Sequence, residues 1–241
     1  EGMDRQTRVF LEDFLYVGEP VRRERFSWRN LWKNNKQELW IRTDVPLNKK
    51  AGYAGIPLGQ EDQLASKRYY GDPFYVNLRY RFQYRDHVYV SFAAEKDAGE
   101  PFFRRYNRKG FDFYSASLQL KDFGHLHTLV VGNYKASFGY GLVMNMGFGL
   151  GKTTSFSTLS RAGQGLSKYT SMNEANYLQG VGMSWKWNKR WIWTGFFSFR
   201  SQDATTGNKC ITTLKIDGYH RLKKDMEKKN TVFNTLAGSN L

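Results

Sequence analysis

The chain has 241 residues, enough for one large β domain or part of a larger barrel, with 40% hydrophobic residues, 17% aromatic residues and a formal net charge of +15. No run of eighteen apolar residues occurs, which excludes a transmembrane helix but not transmembrane strands, whose alternating pattern has low average hydropathy. A single cysteine, Cys210, excludes an intramolecular disulfide and the usual structural zinc sets.

Residues 1–20 read as a lead-in segment, and EGMDRQTRVF contains no apolar signal region, so any export signal is expected to have been removed. Weaker strands are expected at 22–32 and 37–46, followed by a long connection over 46–72. Residues 73–97 then give two strictly alternating segments around a three-residue charged turn. Phe74, Val76, Leu78, Tyr80, Phe82 and Tyr84 fall on one face, and Tyr75, Asn77, Arg79, Arg81 and Gln83 on the other. The alternation runs for about eleven residues, the length a tilted strand needs to cross a bilayer.

Further hairpins follow. Residues 111–120 place Tyr114, Ala116, Leu118 and Leu120 on one face, and 126–138 place Leu126, Val130, Tyr134, Ala136 and Phe138 there. A third pair covers 175–187 and 191–200, with Trp185, Trp187, Trp191 and Trp193 around Asn188-Lys189-Arg190. Pairing Tyr84 with Val88, Leu120 with Leu126 and Trp187 with Trp191 gives turns of three, five and three residues. All are odd, and each keeps the apolar faces continuous. Weaker strands at 210–218 and 229–239 bring the total to about ten. Long connections over 46–72, 98–110, 138–174 and 201–209 alternate with the short turns, so long loops gather at one end.

This pattern predicts an all-β fold, an antiparallel up-and-down transmembrane β-barrel or a large part of one. Residues 21–241 are its barrel portion, which is expected to be incomplete because LAGSNL lacks the terminal aromatic strand usual in such barrels. The lumen-facing candidates are Arg79, Arg81, Glu95, Asp97, Lys135, Lys186 and Arg200; a basic interior favours anions. Tyr84, Trp185, Trp187, Trp191 and Trp193 are the candidates for a membrane-interface girdle.

Chemistry-bearing motifs are sparse. GFGLGKTT at 147–154 resembles a phosphate-binding loop, but Met146 stands where that loop needs glycine and no amphipathic helix follows. Its glycines suit a loop folded against the barrel wall or into the lumen. Glu95, Lys96, Asp97 and Glu100 form a mixed cluster that either binds a ligand or cation or compensates itself. His87, His125 and His127 are expected at the short-turn end, with His220 beside them, which leaves no serine–histidine pair at the long-loop end. No catalytic residue, metal or cofactor is therefore expected.

Six strings carry a resemblance to a known family: AEKDAGEPFF (94–103), GFDFYSASL (110–118), VVGNYKASFGYGLVMNMGFGLGK (130–152), SMNEANYLQGVG (171–182), SFRSQDAT (198–205) and DGYHRLKKDMEKKN (217–230). Together they resemble large Bacteroidota proteins with an upstream helix-hairpin-helix domain, whose C-terminal portion looks like an outer-membrane barrel. Tyr140 departs from the glutamine usual in the FGxGL string. The resemblance implies a barrel in a Gram-negative outer membrane, beside lipopolysaccharide and other envelope proteins, and carries no catalytic residues over. Three functions stand as expectations: a non-catalytic pore, transport or envelope-assembly component; a component that captures or imports nucleic acid or another polyanion; and a barrel enzyme acting on envelope lipid.

Overall fold

The computed structural model describes residues 28–48, 50–53, 67–103, 107–147, 163–207 and 210–241. The lead-in segment 1–20 and most of GFGLGKTT lie outside these residues. The described chain is all-β, antiparallel and up-and-down. Its strands are β1 (Lys36–Asp44), β2 (Tyr75–Tyr84), β3 (Val88–Lys96), β4 (Phe113–Phe123), β5 (Leu126–Ser137), β6 (Gly165–Lys168), β7 (Leu178–Lys186), β8 (Ile192–Gln202), β9 (Ala204–Gly207), β10 (Cys210–Leu214) and β11 (Val232–Asn240). The main sheet has the order β1-β2-β3-β4-β5-β7-β8-β11; β6 adds to β5, and β9 and β10 form a separate hairpin. Its end strands, β1 and β11, pair with β2 and β8 and not with each other.

Several expectations need correction. Trp28–Lys33, placed in a strand by its pattern, is a short helix, α1. Its last carbonyls, at Leu31 and Trp32, accept from the Asn35 amide at 2.9 and 3.0 Å, a side-chain cap that local alternation does not reveal. Cys210–Leu214 belongs to the outlying hairpin and not to the main sheet. The β2–β3 and β7–β8 turns keep the expected register, with Tyr84 opposite Val88 and Lys186 opposite Ile192. The β4–β5 turn does not: Phe123 faces Leu126 and Leu120 faces Leu129. The turn is the two residues Gly124 and His125, not five, with Gly124 in the left-handed region (φ 64°), and this even length reverses the parity. Val130 consequently pairs with Gln119 on the polar face, while Leu129 and Val131 take the apolar one.

The two faces of the sheet invert the arrangement of a water-soluble domain. On one face Ser91, Ser117, Gln119, Ser184 and Ser198 are each at most 8% exposed. On the other, Phe92, Tyr114, Val181, Phe197 and Phe199 are 39–51% exposed. Phe74 is also exposed, and Leu78 and Val90 are half-buried. Fully burying such side chains is worth about 1.5–3 kcal/mol each. Leaving five of them half in water forgoes roughly 5 kcal/mol, comparable to the whole stability of a marginal domain.

A second layer covers part of the polar face. At Gly132 (φ 90°), where an added Cβ would lie 2.3 Å from the Ala116 carbonyl oxygen, β5 stops pairing with β4. Its remaining residues pair with β6, from Tyr134 opposite Lys168 to Ser137 opposite Gly165. This hairpin packs Tyr134, Ala136 and Leu166 with Val130 and Leu178, and Phe138 stacks on Phe196 at 5.7 Å. Leu166 lies directly over Gly182, where an added Cβ would be 2.8 Å from its Cδ1. At the short-turn end of the apolar face, Phe82, Tyr84 and Val88 form a smaller cluster with Leu31 of α1 and Phe123.

Candidate functional site at the long-loop end

The long connections converge on a buried ionic cluster centred on His220. Asp112 comes from the residue before β4, Asp203 from the residue after β8, Glu100 from the β3–β4 connection and Glu174 from the segment before β7. His220 and Lys229 come from the connection that leads to β11. The short helix α2 (Lys223–Lys228) holds that connection in place: Asp225 accepts the Leu222 N–H at 3.1 Å and pairs with Lys215 at 2.9 Å.

The His220 ring bridges two loops, with Nδ1 2.5 Å from Asp112 Oδ2 and Nε2 2.6 Å from Asp203 Oδ2. Lys229 Nζ lies 2.5 Å from the other Asp112 oxygen. Glu100 accepts the backbone N–H groups of His220 and Asp97, each at 2.8 Å. Asp203 also accepts the Asn230 N–H at 2.8 Å. The side chains of His220 and Asp112 are both 1% exposed.

Burial alone would lower the His220 pKa, but the hydrogen bonds to Asp112 and Asp203 outweigh it and push the imidazole up to about 9. Burial raises Asp112 and Asp203, yet His220 and then other partners, Lys229 among them, bring both carboxyls below their ordinary range. Glu100 is pushed up to about 7 by burial and by the Asp112 charge. Burial, followed by Asp112, pushes Glu174 up to about 8. His220 is therefore an imidazolium at neutral pH, holding two carboxylates together.

Beside it lies a cavity of about 110 Å³ lined by residues including Glu174, Arg200, Asp203, Lys215, His220 and Lys229. Arg200 closes one side by donating to the carbonyls of Tyr177 and Ala175 at 2.9 and 2.7 Å. Ligand atoms of Glu100, Asp112 and His220 lie within 4.8 Å of one another. In this arrangement both His220 ring nitrogens are engaged by Asp112 and Asp203, and Lys229 pairs with Asp112, so these groups are occupied with one another.

His220 thus sits at the long-loop end, not among the short-turn histidines. The remaining three do lie at the short turns, with Nδ1 atoms near Lys121 O for His87 (3.0 Å), Lys186 O for His125 (3.0 Å) and Asp122 Oδ1 for His127 (3.3 Å). In the mixed cluster, Lys96 pairs outside it, with Asp72 at 2.6 Å, and Glu95 accepts from the Tyr75 hydroxyl at 2.5 Å.

The other sequence-predicted residues are spread over the sheet. By strand phase Arg79, Arg81, Glu95, Lys186 and Arg200 lie on the polar face, and Lys135 stands over the Tyr169 ring at 5.5 Å. Asp97 lies just beyond β3, half-buried, where burial raises its carboxyl. Trp187 and Trp191 are exposed at 63% and 53%, and Trp185 and Trp193 are half-buried. Tyr84 is 1% exposed within the α1-covered cluster, so it is not at the surface as a girdle residue would be. The sequence reading passed over Asp112, Glu174, Asp203 and Lys229. All four lie in the loop strings that carry the family resemblance, and only Asp112, between Phe111 and Phe113, has aromatic neighbours.

No protein-family model matches the chain, and neither does any curated protein or solved structure. The class that fold and site define is an up-and-down antiparallel β-sheet protein with a buried ionic clamp joining its long loops.

Proposed function

We propose that this chain forms the wall of an outer-membrane β-barrel that serves as a pore, transport or envelope-assembly component. One observation carries the reading: the sheet buries its serines, threonines and glutamines and presents phenylalanines and valines outward. Lipid satisfies such an outward face, and a continuous antiparallel ladder satisfies the backbone within lipid. No helix among the described residues is long and apolar enough to cross a membrane, so strands are the spanning elements in this reading. Further strands, or the approach of β1 to β11, would close the sheet, because open edges do not persist in hydrocarbon. The exposed Trp187 and Trp191 at a short turn suit one membrane interface.

Membership of the helix-hairpin-helix barrel family belongs to the same proposal. Its support is spatial: Glu100, Asp112, Glu174, Asp203, His220 and Lys229 all fall within the resembling strings, which the fold brings to one end.

The test is reconstitution into vesicles containing brominated lipid. Quenching of tryptophan emission, together with heat-sensitive compact migration in detergent, is the expected result. A folded monomer that stays in detergent-free buffer and leaves the vesicles unquenched would reject the proposal.

A second reading rests on charge. Asp112 and Asp203 are paired with His220 and Lys229 at the loop end, and the chain as a whole carries a formal net charge of +15, a basic surface. Such a surface suits a polyanion such as nucleic acid. DNA binding that weakens steeply with salt is then expected, and affinity that is absent or indifferent to salt would remove this reading.

A further inference from the structure

The polar face carries a second cluster, built from residues other than those of the His220 clamp, in which several donors lack partners. Arg79 and Arg81 on β2 lie across from Ala93 and Ser91 on β3, and Ser115 and Ser117 on β4 are the next in register. The small side chains of β3 leave room for both guanidinium groups to lie over the sheet. Arg79 Nε, Arg81 Nε, Gln119 Nε2 and Ser117 Oγ are buried without a hydrogen-bond partner among the described residues. Gln119 and Ser117 are 4% and 3% exposed. Donors orphaned at such depth destabilise the fold unless something accepts from them.

The segment following β6 roofs this patch. Tyr169, Thr170 and Ser171 line a small cavity together with Arg79, Arg81, Tyr89, Ser91, Ala93 and Ser115. Lys168 adds a further cation, its Nζ 3.6 Å from the centre of the Tyr89 ring. Carboxylates offer little relief. Glu38 reaches Arg81 only at 3.8 Å, Glu95 near Arg79 is held by the Tyr75 hydroxyl, and Asp86 makes no ion pair with Lys168 within 4.0 Å among the described residues.

The hydroxyl orientations add to the donor excess. Ser115 Oγ accepts from the Asn133 amide, which leaves its O–H group to donate elsewhere. A water molecule there would find many donors and few acceptors. The enclosed space is about 10 Å³, close to what one water-sized species needs.

We infer that this patch between β2, β4 and the Tyr169–Ser171 roof is a binding site for a single small inorganic anion of the halide class. The Arg79 and Arg81 guanidinium groups and the Ser91 and Ser115 hydroxyls that line the cavity supply its donors, and Lys168, over the Tyr89 ring, adds positive charge beside it. A larger oxyanion would have to displace the roof. The site does not depend on the membrane reading, because it uses only the folded sheet and its covering segment.

The experiment uses the full chain folded in detergent micelles at constant ionic strength, with sodium chloride exchanged for sodium gluconate. Thermal unfolding should shift upward with chloride and saturate, and bromide should reproduce the shift. The ³⁵Cl NMR signal should broaden in the presence of protein, and bromide should compete the broadening away. Arg81→Gln, or Arg79→Gln if the first variant does not fold, should weaken the apparent affinity by roughly tenfold or more, as expected for a lost charge-assisted hydrogen bond. Identical unfolding in chloride and gluconate, or broadening that survives both substitutions, would overturn the site. The outcomes separate the two proposals: a chain that enters vesicles but ignores chloride loses only the anion site, and a water-soluble chain that binds chloride loses only the membrane assignment.

Discussion

The two ends of the sheet are built on opposite principles. At the short-turn end the connections are two or three residues long, the histidines contact nearby carbonyls and carboxylates, and Trp187 and Trp191 stand in the open. At the long-loop end, charges from several distant segments are buried against one another, with sequence separations of 108 between His220 and Asp112 and 117 between Lys229 and Asp112. One end is held by local turn chemistry and the other by long-range electrostatics. Substitutions at the loop end should therefore be costly, whereas the exposed turn should tolerate them.

The largest effect is expected from His220→Ala, which strands two carboxylates that the ring now joins. Breaking a buried pair in this way costs about 3–5 kcal/mol, readable as a lower denaturation midpoint, whereas Trp187→Ser should move that midpoint little. Equal losses at the two ends would erase the contrast.

Next comes Phe197→Arg, at an outward position that is already half-exposed. In water this change should be nearly neutral. At the midplane of a bilayer it should cost roughly 2–4 kcal/mol of folding into vesicles. Folding yields in lipid and in detergent-free buffer decide between these.

Gly182→Val should cost about 1–3 kcal/mol, because the new side chain meets Leu166 of the covering hairpin. Faster proteolysis near Leu166, with the sheet intact, is the diagnostic readout; unchanged cleavage would mean the hairpin is not seated there.

The last test is of sign, through the pH dependence of stability. His220 has a folded pKa raised above its ordinary 6.5 to about 9, so its stabilisation is complete below about 6.5 and fades as pH rises through 9. Glu100 and Glu174, raised to about 7 and 8, bind protons in the fold that the unfolded chain has released, so they too lower stability as pH rises above 4.5. The depressed Asp112 and Asp203 act oppositely, with stabilisation lost in strong acid. Unfolding free energy should fall steadily between pH 6 and 9, and less steeply in His220→Gln. A profile that rises across that range would contradict the clamp.

Strand existence was legible because alternation is a local property. Arg79 and Arg81 could be assigned to the polar face from their neighbours alone, and the register of Tyr84 with Val88 followed from the turn between them. Val130 falls on the polar face because the β4–β5 turn has two residues, Gly124 and His125, a length that a two-letter apolar–polar pattern does not encode. Trp28–Lys33 was misread because six residues are too few for either period to declare itself. The clamp was illegible for a different reason: no local rule joins Asp112 to His220 across more than a hundred residues.

What the amino-acid order determined by itself was the division of each strand into an apolar and a polar side, and with it the up-and-down meander. Side-chain direction alternates with every residue, so no distant contact is needed to establish it. Only the tertiary structure decided which side would be covered, where β5 leaves β4 to roof the polar face, and which loop charges would neutralise one another. Those outcomes depend on closing long loops, and burial and ion pairing take their energies from neighbours that the linear chain keeps far apart.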